Sequence, residues 1–249
     1  MTKAEIRSVR SLDDKRAREE TGLFVAEGEK LVRELLASDF RVRRVYCTGG
    51  DFGAATEHVP PREMERASRL RTATGVLALV EIPRRRLDEA ALRGRLTLAL
   101  DGVQNPGNMG TIIRLADWFG IRDVLCSADS ADCWNPKVVQ ATMGAITRVA
   151  VHYGDLGAMV ATAAADLSAP GPLPVYGTFL EGESVYDAGL SAAGIVVLGS
   201  EGRGISAEIE RLVTRKIFIP PHPAGGSAPE SLNVAVAAAI VCSEFRRRR

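Results

Sequence analysis

The chain has few of the residues that build metal sites or disulfide frameworks. Its 249 residues include four cysteines and three histidines, and no two cysteines form a C-x-x-C pair. A tetrahedral zinc site needs four convergent ligands, usually with two short spacings, and that pattern is absent. We therefore expect reduced, mostly buried cysteines and no bound metal.

Long hydrophobic runs are also missing. No apolar stretch approaches the roughly 20 residues that a transmembrane helix needs. Charges at Lys3, Glu5, Arg7 and Arg10 prevent the first ten residues from forming the apolar region of a secretion signal. We expect a soluble, cytoplasmic protein with no membrane partner.

Neither positive nor negative charge is in large excess over the whole chain, but the basic and acidic residues are unevenly distributed along it. The net charge is +1; residues 1–95 hold 20 Lys/Arg against 16 Asp/Glu, and residues 96–249 hold 12 against 15. Only five of the 32 basic residues are lysines. The planar fork of arginine suits phosphate binding and base stacking, which gives mild support for a nucleic-acid partner. GC-rich codon usage explains the arginine excess equally well.

The pattern of apolar residues divides the chain into two parts. Residues 1–82 predict a small α/β unit, with helices at 11–20, 28–38 and 64–70 and strands at 23–26, 41–48 and 75–81. Residues 83–95 are interrupted by Pro83 and an arginine run, and they predict a linker with a short helix near 87–92.

Residues 96–249 alternate strands with helices. Strands are predicted at 96–100, 123–126, 148–152, 175–178, 194–198 and 217–220, and helices at 108–119, 135–145, 156–165, 206–212 and 231–246. This alternation favours βαβ units in a mainly parallel sheet, whose ligands bind at the carboxyl ends of the strands. The fold class is therefore α/β.

Three loops rich in glycine, asparagine or proline follow predicted strands in this half. The first, 101–114, places Asn108 where it can cap a helix, with Arg114 under two turns further along. The second, 198–204, holds Glu201 among glycines whose G-x-x-G-x-G spacing matches neither the dinucleotide fingerprint nor a P-loop. Ordinary surface turns are the alternative interpretation of both loops.

The third loop, 219–235, leads into a final helix rich in small residues. Ser231 is a plausible N-cap for this helix, and Asn233 lies in its first turn. So many small side chains permit the close approach of another backbone, within the chain or across a dimer.

Four ordered motifs at these strand ends resemble those of the SpoU/TrmH family of SPOUT RNA methyltransferases. They are N-P-G-N-M-G-T-I-I-R (105–114), N-P-K-V-V-Q-A-T-M-G-A (135–145), L-G-S-E-G-R-G-I (198–205) and S-L-N-V-A-V-A (231–237). In addition, F-V-A-E-G-E-K (24–30) is similar to the L30-like substrate-binding domain that often precedes this catalytic domain.

The resemblance implies S-adenosylmethionine-dependent methylation of a ribose 2′-hydroxyl in ribosomal or transfer RNA, by a homodimer with a deep trefoil knot near its C-terminus. It places Asn108, Arg114, Glu201 and Asn233 at the reaction centre. The residues expected to bind the cofactor are Thr178, Leu198, Gly199, Gly202, Ile219, Ser231 and Leu232. Those expected to contact RNA phosphates, unless they only form a solvated face, are Arg41, Arg43, Arg44, Arg84 and Arg85.

Arg114 suits a clamp better than a base, because a guanidinium keeps its proton in proteins. We expect it to grip a phosphate or ribose oxygen and stabilise the developing alkoxide. The chain departs from the family pattern at Gln140 and Thr142, where arginine and serine are usual. A catalytically silent RNA-binding or assembly factor is therefore the alternative. A nicotinamide-dependent oxidoreductase would require a G-x-G-x-x-G that the chain lacks.

Overall fold

The structure is a computed structural model that describes residues 1–165, 171–222 and 231–247. Its contacts divide the chain into two compact units. The first unit combines Met1–Arg84 with Asp132–Arg148, and the second combines Arg85–Ala131 with Val149–Arg249. The segment Asp132–Arg148 thus packs with the N-terminal part of the chain, because Trp134 and Val139 enter the same apolar cluster as Phe24.

The first unit is built on a four-stranded sheet with the order β1-β4-β2-β3. Its elements are α1 (Lys3–Ser11), α2 (Lys15–Thr21), β1 (Leu23–Glu27), α3 (Glu29–Leu36), β2 (Val42–Cys47), β3 (Thr56–His58), α4 (Pro61–Ala67), β4 (Val76–Glu81), α7 (Pro136–Ala141) and a 3-10 turn at Ala145–Thr147.

Helices cover both faces of this sheet. On β4, Ala78 packs into a cluster with Val32 of α3, whereas Leu77 packs into a second cluster with Ile6 of α1 and Met64 of α4. Successive residues of a strand point to opposite faces, so the run of apolar residues in β4 supplies both clusters.

The second unit contains a six-stranded sheet, and every strand pair in it is parallel, as the alternation of strands and helices predicted. Its elements are α5 (Glu89–Leu92), β5 (Leu96–Asp101), α6 (Pro106–Trp118), β6 (Asp123–Ser127), β7 (Ala150–Gly154), α8 (Leu156–Ala165), β8 (Val175–Ser184), β9 (Gly194–Gly199), α9 (Ala207–Glu210), β10 (Arg215–Phe218) and α10 (Val234–Arg247).

The strand order of this sheet is β10-β8-β9-β5-β6-β7. The chain moves outward from β5 to β6 and β7, and it then continues on the other side of β5. Such a reversal opens a crevice at the carboxyl ends of the central strands. On one face, α10 packs against α6 and β9, with the ring of Phe245 edge-on to Tyr176 at 4.9 Å. The segment before α10, where the knot is expected, includes residues 223–230, which lie outside the described residues.

Two helix predictions were wrong in detail. The helix predicted at 11–20 begins only at Lys15, where the side chain of Asp14 caps it, and the preceding α1 was missed although Thr2 and Glu5 form a capping box. The helix predicted at 135–145 ends at Ala141, since Met143 and Gly144 have φ angles of 52° and 95°, which a right-handed helix cannot contain.

One buried ion pair holds the first unit together. Arg18 is only 2% exposed, and its guanidinium donates to Asp132 Oδ2 at 2.6 Å and to the carbonyl oxygens of Leu12 and Asp13 at 2.6 and 2.8 Å. Asp132 lies far along the chain, so this pair ties its segment to the turn between α1 and α2.

We predict that Asp132→Asn destabilises the protein by about 3 kcal/mol, because it leaves the buried Arg18 charge without its counterion. Urea denaturation at pH 7 measures the change. Glu20→Gln, which removes the exposed partner of Arg16, is the control and should leave the unfolding midpoint unchanged. Equal midpoints for the two variants would contradict the prediction.

Candidate functional site

A cavity of about 950 Å³ lies in the second unit, at the carboxyl edge of its parallel sheet. The ends of β8, β9 and β10, the turn 200–204 and the first part of α10 form its walls. The structure gathers in this cavity all seven residues that the sequence analysis assigned to cofactor binding: Thr178, Leu198, Gly199, Gly202, Ile219, Ser231 and Leu232.

An irregularity in β8 forms one wall of the cavity. Gly177 pairs with Lys216, but the next pair along β10 joins Ile217 to Glu183, so the intervening residues of β8 leave the ladder. Thr178 turns its hydroxyl to the carbonyl oxygen of Val197 at 3.0 Å. Phe179, Leu180 and Glu181 then line the cavity. These three were not predicted from the sequence, because the predicted strand ended at residue 178.

The turn after β9 forms a second wall. Ser200 and Gly204 bond to each other through both backbone N–H groups, at 3.1 and 2.9 Å, which closes a tight turn around Glu201 and Gly202. A Cβ atom at Gly199 would overlap the backbone of Gly204 and Ile205. Glycine is therefore required at this position for the turn to fold back on the end of β9.

A polar network fixes Arg203, the last side chain of this turn. Its guanidinium lies 3.2 Å from Asp129 Oδ2, and Asp129 accepts a hydrogen bond of 2.7 Å from the Ser127 hydroxyl. The Ser127 bond and the Arg203 charge hold the pKa of Asp129 below its usual range. The sequence analysis did not single out these residues, although Arg203 lies between two glycines of a quoted motif.

Three of the four predicted reaction-centre residues meet at one point. The amide nitrogen of Asn233 donates to Asn108 Oδ1 at 3.0 Å, and the amide nitrogen of Asn108 donates to Glu201 Oε1. The three residues come from three separate loops, and Glu201 also lines the cavity. Because Asn108 accepts on its oxygen and donates from its nitrogen, this chain of bonds fixes its amide orientation.

The capping predictions for these loops were wrong. The side chain of Asn105, not Asn108, caps α6 by accepting from the N–H groups of Gly107 and Asn108 at 2.8 and 3.1 Å. Asn233, not Ser231, accepts from the first N–H groups of α10. The Asn-Pro pair at 105–106 was the available signal, since proline favours the first helical position.

Arg114 does not join this group. It is exposed on α6 and is absent from the lining of the cavity. Within the described part of the chain it makes no hydrogen bond or ion pair. Six residues separate it from Asn108, about 9 Å along the helix axis. Its guanidinium is therefore available to a partner from outside this chain.

The five arginines expected to contact RNA differ in their surroundings. Carboxylates pair with three of them: Arg41 and Arg43 with Glu81, and Arg44 with Glu5 and Glu57. Arg85 donates to the carbonyl oxygen of Val149 at 3.0 Å, and Arg84 is exposed.

Few other side chains of the described residues suit nucleophilic catalysis or metal binding. The four cysteines are buried and form no disulfide. Burial raises the pKa of the Cys126 thiol and raises that of Cys242 to about 12, so neither supplies a thiolate near neutral pH. No group of three or more metal-ligating side chains occurs within 1–165, 171–222 and 231–247. In the same ranges, no helix has the length and apolarity to cross a membrane.

Comparison with known proteins identifies both parts of the chain. Residues 95–243 match the SpoU rRNA Methylase family, and residues 3–85 match the MRM3-like substrate binding domain. The chain is 30% identical to the 23S rRNA (guanosine(2553)-2′-O)-methyltransferase RlmP of Bacillus subtilis, over 97% of this chain and 95% of that protein.

Two solved structures share the fold over almost their whole length. A TrmH-family protein from Porphyromonas gingivalis has 41% identity and a TM-score of 0.85, covering 100% of this chain and 99% of that one. The SpoU methyltransferase AviRb from Streptomyces viridochromogenes, in complex with AdoMet, has 25% identity and a TM-score of 0.87, covering 99% and 98%. The chain belongs to the SpoU rRNA methylase family.

Proposed function

We propose that this protein transfers the methyl group of S-adenosyl-L-methionine to a ribose 2′-hydroxyl of ribosomal RNA. The single observation that carries the proposal is the cavity at the carboxyl edge of the sheet, with Glu201, Asn108 and Asn233 hydrogen-bonded at its border. Residues 96–249 form the catalytic domain, residues 1–82 bind the substrate RNA, and residues 83–95 link the two.

The cavity suits a ligand that is partly apolar and partly charged. Its volume lies within the range of small-molecule sites, and its lining combines Leu198 and Val241 with Glu181 and Glu201. Leu180, at its border, is 74% exposed, and a bound ligand would cover it. S-adenosyl-L-methionine, with an adenine ring, an amino acid end and a cationic sulfonium, matches this mixture.

The reaction places few chemical demands on the protein. The cofactor supplies an electrophilic methyl group on a sulfonium, which is already a good leaving group. The chain must therefore hold the ribose hydroxyl in line, let its proton pass to solvent as the oxygen takes up the methyl group, and stabilise the charge that develops on that oxygen. Glu201, Asn108 and Asn233 hold the loop ends in register, and Arg114 grips a ribose or phosphate oxygen of the RNA.

Arg114 performs this role in the cavity of a second subunit. It projects from α6 without a partner in its own described chain, and Trp118, one turn further along, is 83% exposed. On α10, which packs against α6, Val236 is 49% exposed. Exposed apolar side chains on two adjoining helices favour a homodimer interface. With ribosomal RNA as substrate and no disulfide among the four cysteines, we place the protein in the cytoplasm.

The fit of the cofactor is tested by Gly199→Ala. The new methyl group displaces the turn 200–204, and we expect the affinity for S-adenosyl-L-methionine to fall roughly tenfold or more, since overpacking of this kind costs about 1–3 kcal/mol. Isothermal titration measures the affinity. Gly94→Ala, in a turn where a Cβ atom meets nothing within 4 Å, is the control. Equal affinities of the two variants for S-adenosyl-L-methionine would show that the turn is not part of the cofactor site.

The activity is tested with unmethylated 23S rRNA and labelled S-adenosyl-L-methionine, followed by mapping of 2′-O-methyl groups. We expect Arg114→Lys to lower kcat by about 100-fold or more, because lysine cannot reproduce the planar two-point grip. Arg122→Lys, an exposed arginine before β6 at the opposite edge of the sheet, should retain activity. RNA binding without methyl transfer by the wild-type protein would identify a silent assembly factor instead.

The dimer is tested by Trp118→Glu. A charge at the centre of the proposed interface should convert the protein to a monomer in sedimentation velocity experiments and abolish methyl transfer. Tyr186→Glu, an exposed aromatic residue outside α6 and α10, should remain dimeric. In addition, co-expressed Arg114→Lys and Gly199→Ala subunits should recover about a quarter of the wild-type sites if each site draws on both subunits. A fully active Trp118→Glu monomer would refute this arrangement.

A further inference from the structure

The first unit carries a second cavity, of about 400 Å³, where α1 and α4 pack side by side. Four of the five residues that line it are basic: Lys3, Arg7, Arg10 and Arg66, with Ile6 at its base. We call this cavity the basic groove. None of its residues was among those expected to contact RNA.

The basic side chains of the groove have no counterion among the residues that the structure describes. Lys3, Arg7, Arg10 and Arg66 are all exposed, and none forms an ion pair with a carboxylate in the described parts of the chain. The one recorded bond among them runs from the Arg10 guanidinium to the backbone oxygen of Arg66, at 3.1 Å, and it leaves both charges uncompensated.

The nearest carboxylates on these two helices are mostly occupied elsewhere. Glu5 accepts from the backbone of Thr2 and pairs with Arg44, and Glu63 pairs with the amino group of Met1. Glu65, the remaining carboxylate of α4, forms no ion pair among the described residues, and this helix carries Arg62 and Arg66 against Glu63 and Glu65. The groove therefore keeps an excess of positive charge.

This arrangement contrasts with the arginines of β2. Glu81 pairs with Arg41 and Arg43, and Arg44 shares two carboxylates, so that surface is close to neutral. The groove instead places Lys3, Arg7 and Arg10 at i, i+4 and i+7 of α1, one row about 10 Å long on a single face. Like charges in such a row repel one another and cost stability unless an anion lies between them.

We propose that the basic groove binds the phosphodiester backbone of the RNA substrate. The inference rests on the proposed function, which makes RNA the partner of this unit, and it names the surface that takes the phosphates. A row of cations facing Arg66 across a groove can hold successive phosphates of one strand. These contacts position the RNA without reading its bases, because phosphates carry no sequence information.

The full-length triple variant Lys3→Gln/Arg7→Gln/Arg10→Gln tests the proposal. Glutamine keeps a high helix propensity, and the Thr2–Glu5 capping box stays intact. The control is Lys15→Gln/Arg16→Gln/Arg33→Gln, which removes three exposed cations of the same unit that pair with glutamates on their own helices. Circular dichroism verifies that both variants fold.

Filter binding of a 23S rRNA transcript at several salt concentrations gives the decisive measurement. We expect the triple variant to bind RNA about tenfold or more weakly at 0.15 M salt, and its log–log salt slope to be smaller by roughly two, since each lost phosphate contact removes about 0.7–0.9. The control should match the wild type. In methylation assays the triple variant should raise KM, with kcat and the affinity for S-adenosyl-L-methionine unchanged.

Two outcomes separate this inference from the proposed function. If the triple variant binds RNA with the affinity and salt slope of the control, the groove is not an RNA site and an acidic protein becomes its better partner, whether or not the enzyme methylates RNA. If the wild type binds RNA through the groove but transfers no methyl group, the enzymatic proposal fails and the groove stands.

Discussion

The bond from Asn108 to Glu201, extended by Asn233, is the interaction on which the site depends. Asn108 lies in the first turn of α6, Glu201 lies in the turn after β9, and Asn233 directly precedes α10. The sheet holds these three parts of the chain in place. Parallel strands bring their carboxyl ends to one edge, so loops distant along the chain become neighbours. The side-chain amides then fix these loops relative to one another.

The cavity beside this contact is shaped by backbone rather than by bulky side chains. β8 leaves its ladder for several residues, and the turn 200–204 folds back on Gly199 because that residue has no Cβ atom. Both features leave space at the sheet edge, and the strands behind this space hold its walls in place.

The two units differ in the sign of their net charge, and this difference suits the ligands proposed for them. The second unit has a net negative composition and provides the cavity proposed for the small cationic cofactor. The first unit has a net positive composition and holds the groove between α1 and α4, whose cations form no ion pair among the described residues. In the proposed complex, the RNA polyanion and the sulfonium each meet a unit of opposite net charge. The uneven distribution of charge along the chain therefore suits two ligands of opposite charge, although the net charge of the whole chain is close to zero.

Much of the fold and of the candidate site could be predicted from local sequence patterns. The alternation of apolar runs predicted the parallel sheet, and the loops after β9 and β10 predicted two of the three strand ends that line the cavity, because these signals are short-range. No such loop marked the third, the end of β8. The sequence signals for the helix caps at Asn105 and Asp14 and for the missed helix α1 were also local, but competing patterns obscured them.

Tertiary contacts alone decided the rest. The amino-acid sequence determined the family, the parallel sheet and seven of the residues that line the cavity, since the motifs behind these predictions are local. It did not identify Phe179, Leu180 and Glu181, which the irregularity of β8 brings to the cavity. Only the folded chain showed that carboxylates pair with Arg41, Arg43 and Arg44 and that Arg203 is held by Asp129. It also showed that Lys3, Arg7 and Arg10 line a groove with Arg66 and form no ion pair within the described ranges. Charge pairing depends on distances between residues remote in sequence, and no local pattern encodes those distances.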